Sequence, residues 1–298
     1  MHLQCFKYIF HFYQVKFNEE QEYYKSLLQN KHNPELLVAE LMSACKHNYC
    51  RRLKIIHQFL VEELKLNLSD ERLEAENGMT CLHVATLNNS TEAIEYILQI
   101  CEKSMLFCQV TEGIYEGATC LHFCILNKET DIIVDIFEML SNADKKKLIQ
   151  SQATGSFMYD QIGSCGTSLG LAAGSGLRYI CELLVRNGAE IDTQDLKNGD
   201  TIFHSLVRYS LSNAGGAIHF LDEVIHGKEI EVWFMDRFNI RNEDFTKNVR
   251  HKMRKYLLKL ENNNSYTPIT LAARIGAHDM LMYLLQLEGV YKHTSFTL

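Results

Sequence analysis

Apolar residues recur at helical spacing in pairs of short segments along most of this 298-residue chain. Leu37, Leu41 and Cys45 are followed by Leu53, Ile56, Phe59, Leu60 and Leu64, which makes an amphipathic pair of residues 36–68. Farther on come Ile94, Ile97, Leu98 and Cys101, then Ile133, Ile136, Phe137 and Leu140. Ile180, Leu183 and Leu184, and finally Leu281, Leu284 and Leu285, repeat the pattern of a helix buried on one side. Thr-led starts precede these later helices. Thr-Cys-Leu-His occurs at Thr80–His83 and at Thr119–His122, each with Gly two positions before the Thr, and Thr167-Ser168-Leu169, Thr201-Ile202-Phe203-His204 and Thr267-Pro268-Ile269 are looser copies. A Thr at the N-cap accepts a first-turn backbone N–H, and Pro268 suits the position after it because its missing N–H would have no partner there. Small residues such as Ala85, Cys124 and Ala172-Ala173 follow where neighbouring helices must approach closely, and Asn187-Gly188 is a left-handed helix stop.

The starts Thr80, Thr119, Thr167, Thr201 and Thr267 are 39, 48, 34 and 66 residues apart. The ankyrin signature T-P-L-H-x-A, with a period of about 33, matches them: one interval fits, two are stretched, and the last is about two periods long. Each repeat buries its apolar face only on its neighbours, so the extra residues belong in connections. Residues 36–68 read as a divergent first repeat that caps the array. The expected fold is all-α, an ankyrin repeat solenoid of about six helix-turn-helix repeats with long inter-repeat loops. Repeats start near 36, 78, 117, 165, 199 and 264 within a domain at 36–290, after an N-terminal extension at 1–35 and before a tail at 291–298. Loops near 104–116, 149–165 and 226–248 are long enough to be recognition surfaces, and Tyr115, Phe157, Met158, Tyr159 and Trp233 are the candidate partner-binding residues on them.

Composition narrows the chemistry. A net charge of −7 argues against nucleic acid as the main partner. Ten cysteines without a C-x-x-C pair, two of them inside the helix-start tetrad, read as small buried hydrophobes in a reducing compartment. The aromatic opening (Phe6, Tyr8, Phe10, Phe12, Tyr13, Phe17) is interrupted by charge and has no small-residue cleavage site, so it does not read as a signal peptide. No apolar run approaches the roughly 18–20 residues of a membrane span, and the chain as given is expected to be soluble and cytoplasmic. His83, His122 and His204 recur at one place in different repeats, where consecutive copies stand about 8–10 Å apart, too far to share a zinc with bonds of about 2 Å; backbone hydrogen bonding between repeats is the expected role, with no metal and no cofactor. Gly166-Thr167-Ser168-Leu169-Gly170 satisfies G-x-S-x-G, but the register of a repeat start replaces the strand that a nucleophile elbow needs, so no enzyme is expected. Asp192 and Asp195 fall in an inter-repeat turn, where Asx-type hydrogen bonding accounts for them. The basic amphipathic stretch at 247–260 suits weak contact with calmodulin or anionic lipid, or else the outer helix of the fifth repeat.

The order of these starts resembles more than a generic array. Tyr115-Glu116-Gly117-Ala118-Thr119-Cys120-Leu121-His122, Cys165 to Ala173, Asn198-Gly199-Asp200-Thr201-Ile202-Phe203-His204-Ser205-Leu206-Val207, and Asn264 to Ala273 are similar to the third to sixth repeat starts of the cytosolic N-terminal domain of vanilloid-type transient receptor potential (TRPV) channels. The resemblance spans about 36–290 and implies a subunit of a tetrameric, calcium-permeable cation channel. Its ankyrin arm would contact other channel subunits or cytosolic regulatory proteins at the cytoplasmic face of a cell membrane. Some members bind ATP through two lysines, a Tyr, a Gln and a Glu; here Tyr115 matches, while Met79 and Val84 replace the lysines, Ala118 the Gln and Leu126 the Glu, so no nucleotide is implied. The family's pore follows its ankyrin domain and this chain stops at Leu298, which makes a fragment or truncated form the expectation and a free-standing soluble ankyrin adaptor the alternative.

Overall fold

Short helices arise wherever a cap and an apolar stripe coincide, and the computed structural model describes them over residues 18–75, 77–160, 165–241 and 247–287. All regular elements among the described residues are helical apart from one isolated antiparallel bridge, Gln152 to Thr167. The chain divides into two compact units between Thr111 and Glu112.

The first unit holds α1 (18–29), α2 (Pro34–Lys46), α3 (Cys50–Phe59), α4 (Cys81–Leu87) and α5 (Thr91–Ile100). Asn33 caps α2 by accepting from the Leu36 N–H, with Pro34 at the first helical position. Leu37, Leu41 and Cys45 of α2 and Leu53, Ile56 and Phe59 of α3 are buried, which closes the amphipathic pair as a unit. A single π-helical turn, Leu60–Leu64, ends α3 with Lys65 in the left-handed region. The first-layer helices α2 and α4 pack together, as do α3 and α5 behind them. The connection after α5 carries a 3₁₀ turn, Lys103–Phe107, that buries Met105 and Leu106, so the segment near 104–116 is partly ordered into the core rather than an open loop.

The second unit repeats the scheme: α6 (Cys120–Asn127) with α7 (Thr130–Glu138), α10 (Ser168–Gly174) with α11 (Arg178–Arg186), α12 (Ile202–Tyr209) with α13 (Ala214–His226), and α16 (Pro268–Ile275) with α17 (His278–Gln286). Their first helices α6, α10, α12 and α16 stack in sequence, each against the next. Two connections hold helices instead of loops. Asn142–Ile149 is α8, capped by Ser141, and Ser156–Asp160 is the one-turn α9. The segment 226–248, expected as a loop, contains α14 (Lys228–Phe238), and α15 (Lys247–Leu258) packs on α14. That also corrects the fifth repeat. Its second helix is α13, which packs on α12 through Ala217, Phe220, Leu221 and Ile225, and not the basic stretch at 247–260. In α17 the buried face is Met280 and Leu284, while Leu285 is exposed.

Candidate functional site

Three histidines join the helix starts. Thr80, Thr119 and Thr201 are extended N-caps, and each donates its backbone N–H to Nδ1 of the His three residues on, at 3.1 Å in all three repeats. A nitrogen that accepts a hydrogen bond cannot carry the proton, so the tautomer is fixed with the hydrogen on Nε2. That Nε2–H donates to a backbone carbonyl beyond the helix: Cys108 O at 3.0 Å for His83, Gly166 O at 3.2 Å for His122 and Tyr266 O at 2.8 Å for His204. In the last two the carbonyl belongs to the residue just before the next Thr cap, so one imidazole ties the start of one repeat to the start of the next. All three rings are buried. Burial depresses the pKa of His122 to about 4, against a smaller opposing effect of its bond to Gly166, and lowers that of His204. Among the described residues no three of His, Cys, Asp or Glu stand together as a metal ion would require.

Thr167 and Thr267 cap their helices without a His, accepting from Gly170 N at 3.0 Å and Thr270 N at 3.4 Å. At the latter, Thr270 Oγ1 takes the reaching-back role by accepting the Thr267 N–H at 2.8 Å. Thr267→Ala should lose about 1 kcal/mol of stability, as N-cap removals do, read as a lower urea midpoint with unchanged m value.

The inter-repeat turns of the second unit lie edge to edge. Thr154 N and Gly155 N both donate to Glu116 O, at 2.8 and 2.9 Å, and Phe157 N to Ile114 O at 3.0 Å. Leu196 N donates to Gln152 Oε1 at 2.8 Å. This brings Tyr115 and Phe157 into ring contact at 4.9 Å, with Phe123 behind Tyr115 at 5.3 Å. Tyr159 donates its hydroxyl to Ala153 O at 3.2 Å and lies under the Lys197 ammonium, 4.3 Å from its ring centroid. The side chain of Met158 lies outside the described residues. Ile114, 53% exposed, and Leu196, 71% exposed, extend the same edge and were not singled out in the sequence. Trp233 does not join them; it sits on α14, donating Nε1–H to Glu190 Oε2 at 3.1 Å.

Other candidates are held in the framework. Ser168 is the first residue of α10 and fully buried, and its Oγ touches no hydrogen-bond partner among the described residues. The flanking glycines serve close packing: a Cβ at Gly166 would fall on Ala153 O, and one at Gly170 on Cys165 Sγ. Asp195 accepts from Lys197 N and Asn198 N within its turn, at 2.8 and 2.5 Å, and Asp192 accepts from the Tyr256 hydroxyl at 2.8 Å. Buried Asp200 binds the Arg208 guanidinium at 2.9 Å and the Asn262 amide at 2.7 Å, which locks the turn before α12 to the one before α16. In α15, Met253, Leu257 and Leu258 are buried and Tyr256 packs edge-on against Phe238 at 5.3 Å. Its apolar side is therefore occupied by its own unit, while Lys252 and Lys255 face outward. Of the positions that replace the nucleotide contacts, Met79 and Ala118 are buried.

Comparison with known proteins agrees with this geometry. Residues 41–151 match the family model for ankyrin repeats (3 copies). The chain is 26% identical over 265 residues to transient receptor potential cation channel subfamily V member 1 of Canis lupus familiaris, which covers 84% of this chain and 29% of that protein. The corresponding proteins of Cavia porcellus and Oryctolagus cuniculus are each 26% identical over 264 residues, 83% of this chain and 29% and 28% of theirs. The chain thus spans less than a third of the length of these relatives. No helix among the described residues is long and apolar enough to cross a membrane. Repeat geometry, family match and relatives converge on an all-α ankyrin-repeat chain similar to the ankyrin-repeat region of TRPV-type channels.

Proposed function

We propose that the chain works as the cytoplasmic ankyrin-repeat part of a TRPV-like, calcium-permeable cation channel subunit, and that it acts through protein contacts in channel assembly or regulation rather than through catalysis. The carrying observation is the similarity to TRPV relatives over 84% of the chain. In this reading 36–290 is the repeat domain, 1–35 and 291–298 flank it, and it lies at the cytoplasmic face of a cell membrane. Its partners are other channel subunits or cytosolic regulators. The turn edge with Tyr115, Phe157, Met158 and Tyr159, and separately Trp233, form the contact surfaces. Any contact of 247–260 with calmodulin or anionic lipid runs through its outward lysines, because the apolar side of α15 is buried. Sequencing the native transcript past codon 298 tests the reading. The frame is expected to continue into apolar segments of about 20 residues, the length of a membrane span. A stop codon there with no such segment would replace it by the free-standing ankyrin adaptor.

A further inference from the structure

The second unit contains a cleft of about 660 Å³ between α11 and α14, within the size range of about 300–1,000 Å³ typical of ligand sites. One wall is α14, which presents Lys228, Val232, Trp233 and Asp236 in order; Val185 at the end of α11 and Gly188 beyond it face them. Most charges around the cleft are already neutralised in place. Lys146 pairs with Glu190 at 2.6 Å, Arg186 with Glu229 at 3.4 Å and Arg237 with Asp192 at 3.5 Å. Glu190 also takes the Trp233 N–H, so the indole is pinned and offers carbon surface to the cleft. Val232 beside it is 50% exposed.

Two charges have no ionic partner among the described residues: Lys228 at the first position of α14 and Asp236 in its last turn. Neither suits its place. A cation at a helix N-terminus and an anion near the C-terminus each oppose the macrodipole. Eight residues of helix put them about 12 Å apart, with the exposed apolar surface of Val232 and Trp233 between. We propose that this cleft binds a short extended segment of a partner protein, seating one apolar side chain on Trp233 and Val232 between an acidic residue paired with Lys228 and a basic residue paired with Asp236. An extended chain advances about 3.3 Å per residue, so the partner's two charges stand about four residues apart. The inference does not depend on the channel reading, since a soluble adaptor would use the cleft in the same way.

Trp233 is the only tryptophan of the chain, so its fluorescence reports occupancy directly. The chain is titrated with the blocked peptide Glu-Gly-Leu-Gly-Lys and with two others that carry Glu at both ends or Lys at both ends. A saturable emission change is expected for the mixed peptide, and binding about tenfold weaker for the other two, since one mispaired charge replaces an attraction by a repulsion. In Lys228→Glu, whose fold is checked by circular dichroism, preference should pass to the peptide with Lys at both ends. The proposal is overturned if none of the peptides gives a saturable change, or if Lys228→Glu keeps the wild-type order of preference.

Discussion

His122→Ala should lower the stability of the second unit by about 3–5 kcal/mol, the range of a buried large-to-small change that also strands polar partners. The ring is fully buried. Its removal leaves a cavity, takes the acceptor from Thr119 N–H and takes a donor from Gly166 O. At about 2–4 °C per kcal/mol for a unit of this size, the midpoint of thermal unfolding should fall by about 10 °C. His122→Gln separates the effects, because Gln is a natural partner in a capping box and can keep the reach back to Thr119 while losing the link to Gly166. It should fall between wild type and His122→Ala. If His122→Ala unfolds within about 1 kcal/mol of wild type, the imidazole is filler and the account of how repeats are tied together is wrong.

The same ring gives the unit a defined response to acid. In the unfolded chain His122 titrates near the ordinary value of 6.5, and in the fold burial holds it at about 4. Between those values the unfolded chain binds a proton that the folded chain does not, so stability falls as pH is lowered. The loss is at most 1.36 kcal/mol per pH unit and about 3 kcal/mol in total. Below about pH 4 both states carry the proton and this contribution is flat. His204 is shifted in the same direction and adds to the slope. Unfolding free energies measured by urea between pH 7 and 4.5 should show a shallower slope in His122→Gln than in wild type. Equal slopes would mean that the buried imidazole titrates like an exposed one.

How much of this was legible depended on whether the determinant was local. A cap is a four-residue event, so Thr80–His83, Thr119–His122 and Thr201–His204 could be read as starts, and their observed bonds follow from those residue types. The fifth repeat was harder. Gly215-Gly216 opens α13 and hides a helix whose signal lies in the Asn213 cap and in Ala217, Phe220, Leu221 and Ile225. Helix α14 buries only Ile230 and Phe234 among its eleven residues, too few for periodicity to register, so its stretch read as loop. The turn edge is not a local property at all. Ile114 and Leu196 are exposed on it where hydrogen bonds join segments about 40 residues apart, and no window of the sequence contains both partners. The α11–α14 cleft is hidden for the same reason.

Gly166→Ala should be strongly destabilising although it adds a single carbon. Gly166 does not need left-handed freedom; it needs absence, because a methyl group there would overlap the carbonyl oxygen of Ala153. The atom it would meet is backbone, so it cannot rotate away. To accommodate it, residues 152–153 must move from 166–167. The Ala153 N–H to Gly166 O bond of 2.8 Å is then lost, and the His122 bond to the same carbonyl with it. The expected loss exceeds about 3 kcal/mol, the range of overpacking combined with unpaired buried polar groups. Gly113→Ala is the control: its φ is +87 with nothing near the added Cβ, so it should lose only the roughly 1–2 kcal/mol of a left-handed alanine. Because His122 and Gly166 act on one carbonyl, the double variant His122→Ala with Gly166→Ala should be less destabilised than the sum of the singles, by at least about 1 kcal/mol. Strict additivity in urea unfolding would show that the ring and the glycine stabilise the fold separately, and that the link between the third and fourth repeat starts is not a single device.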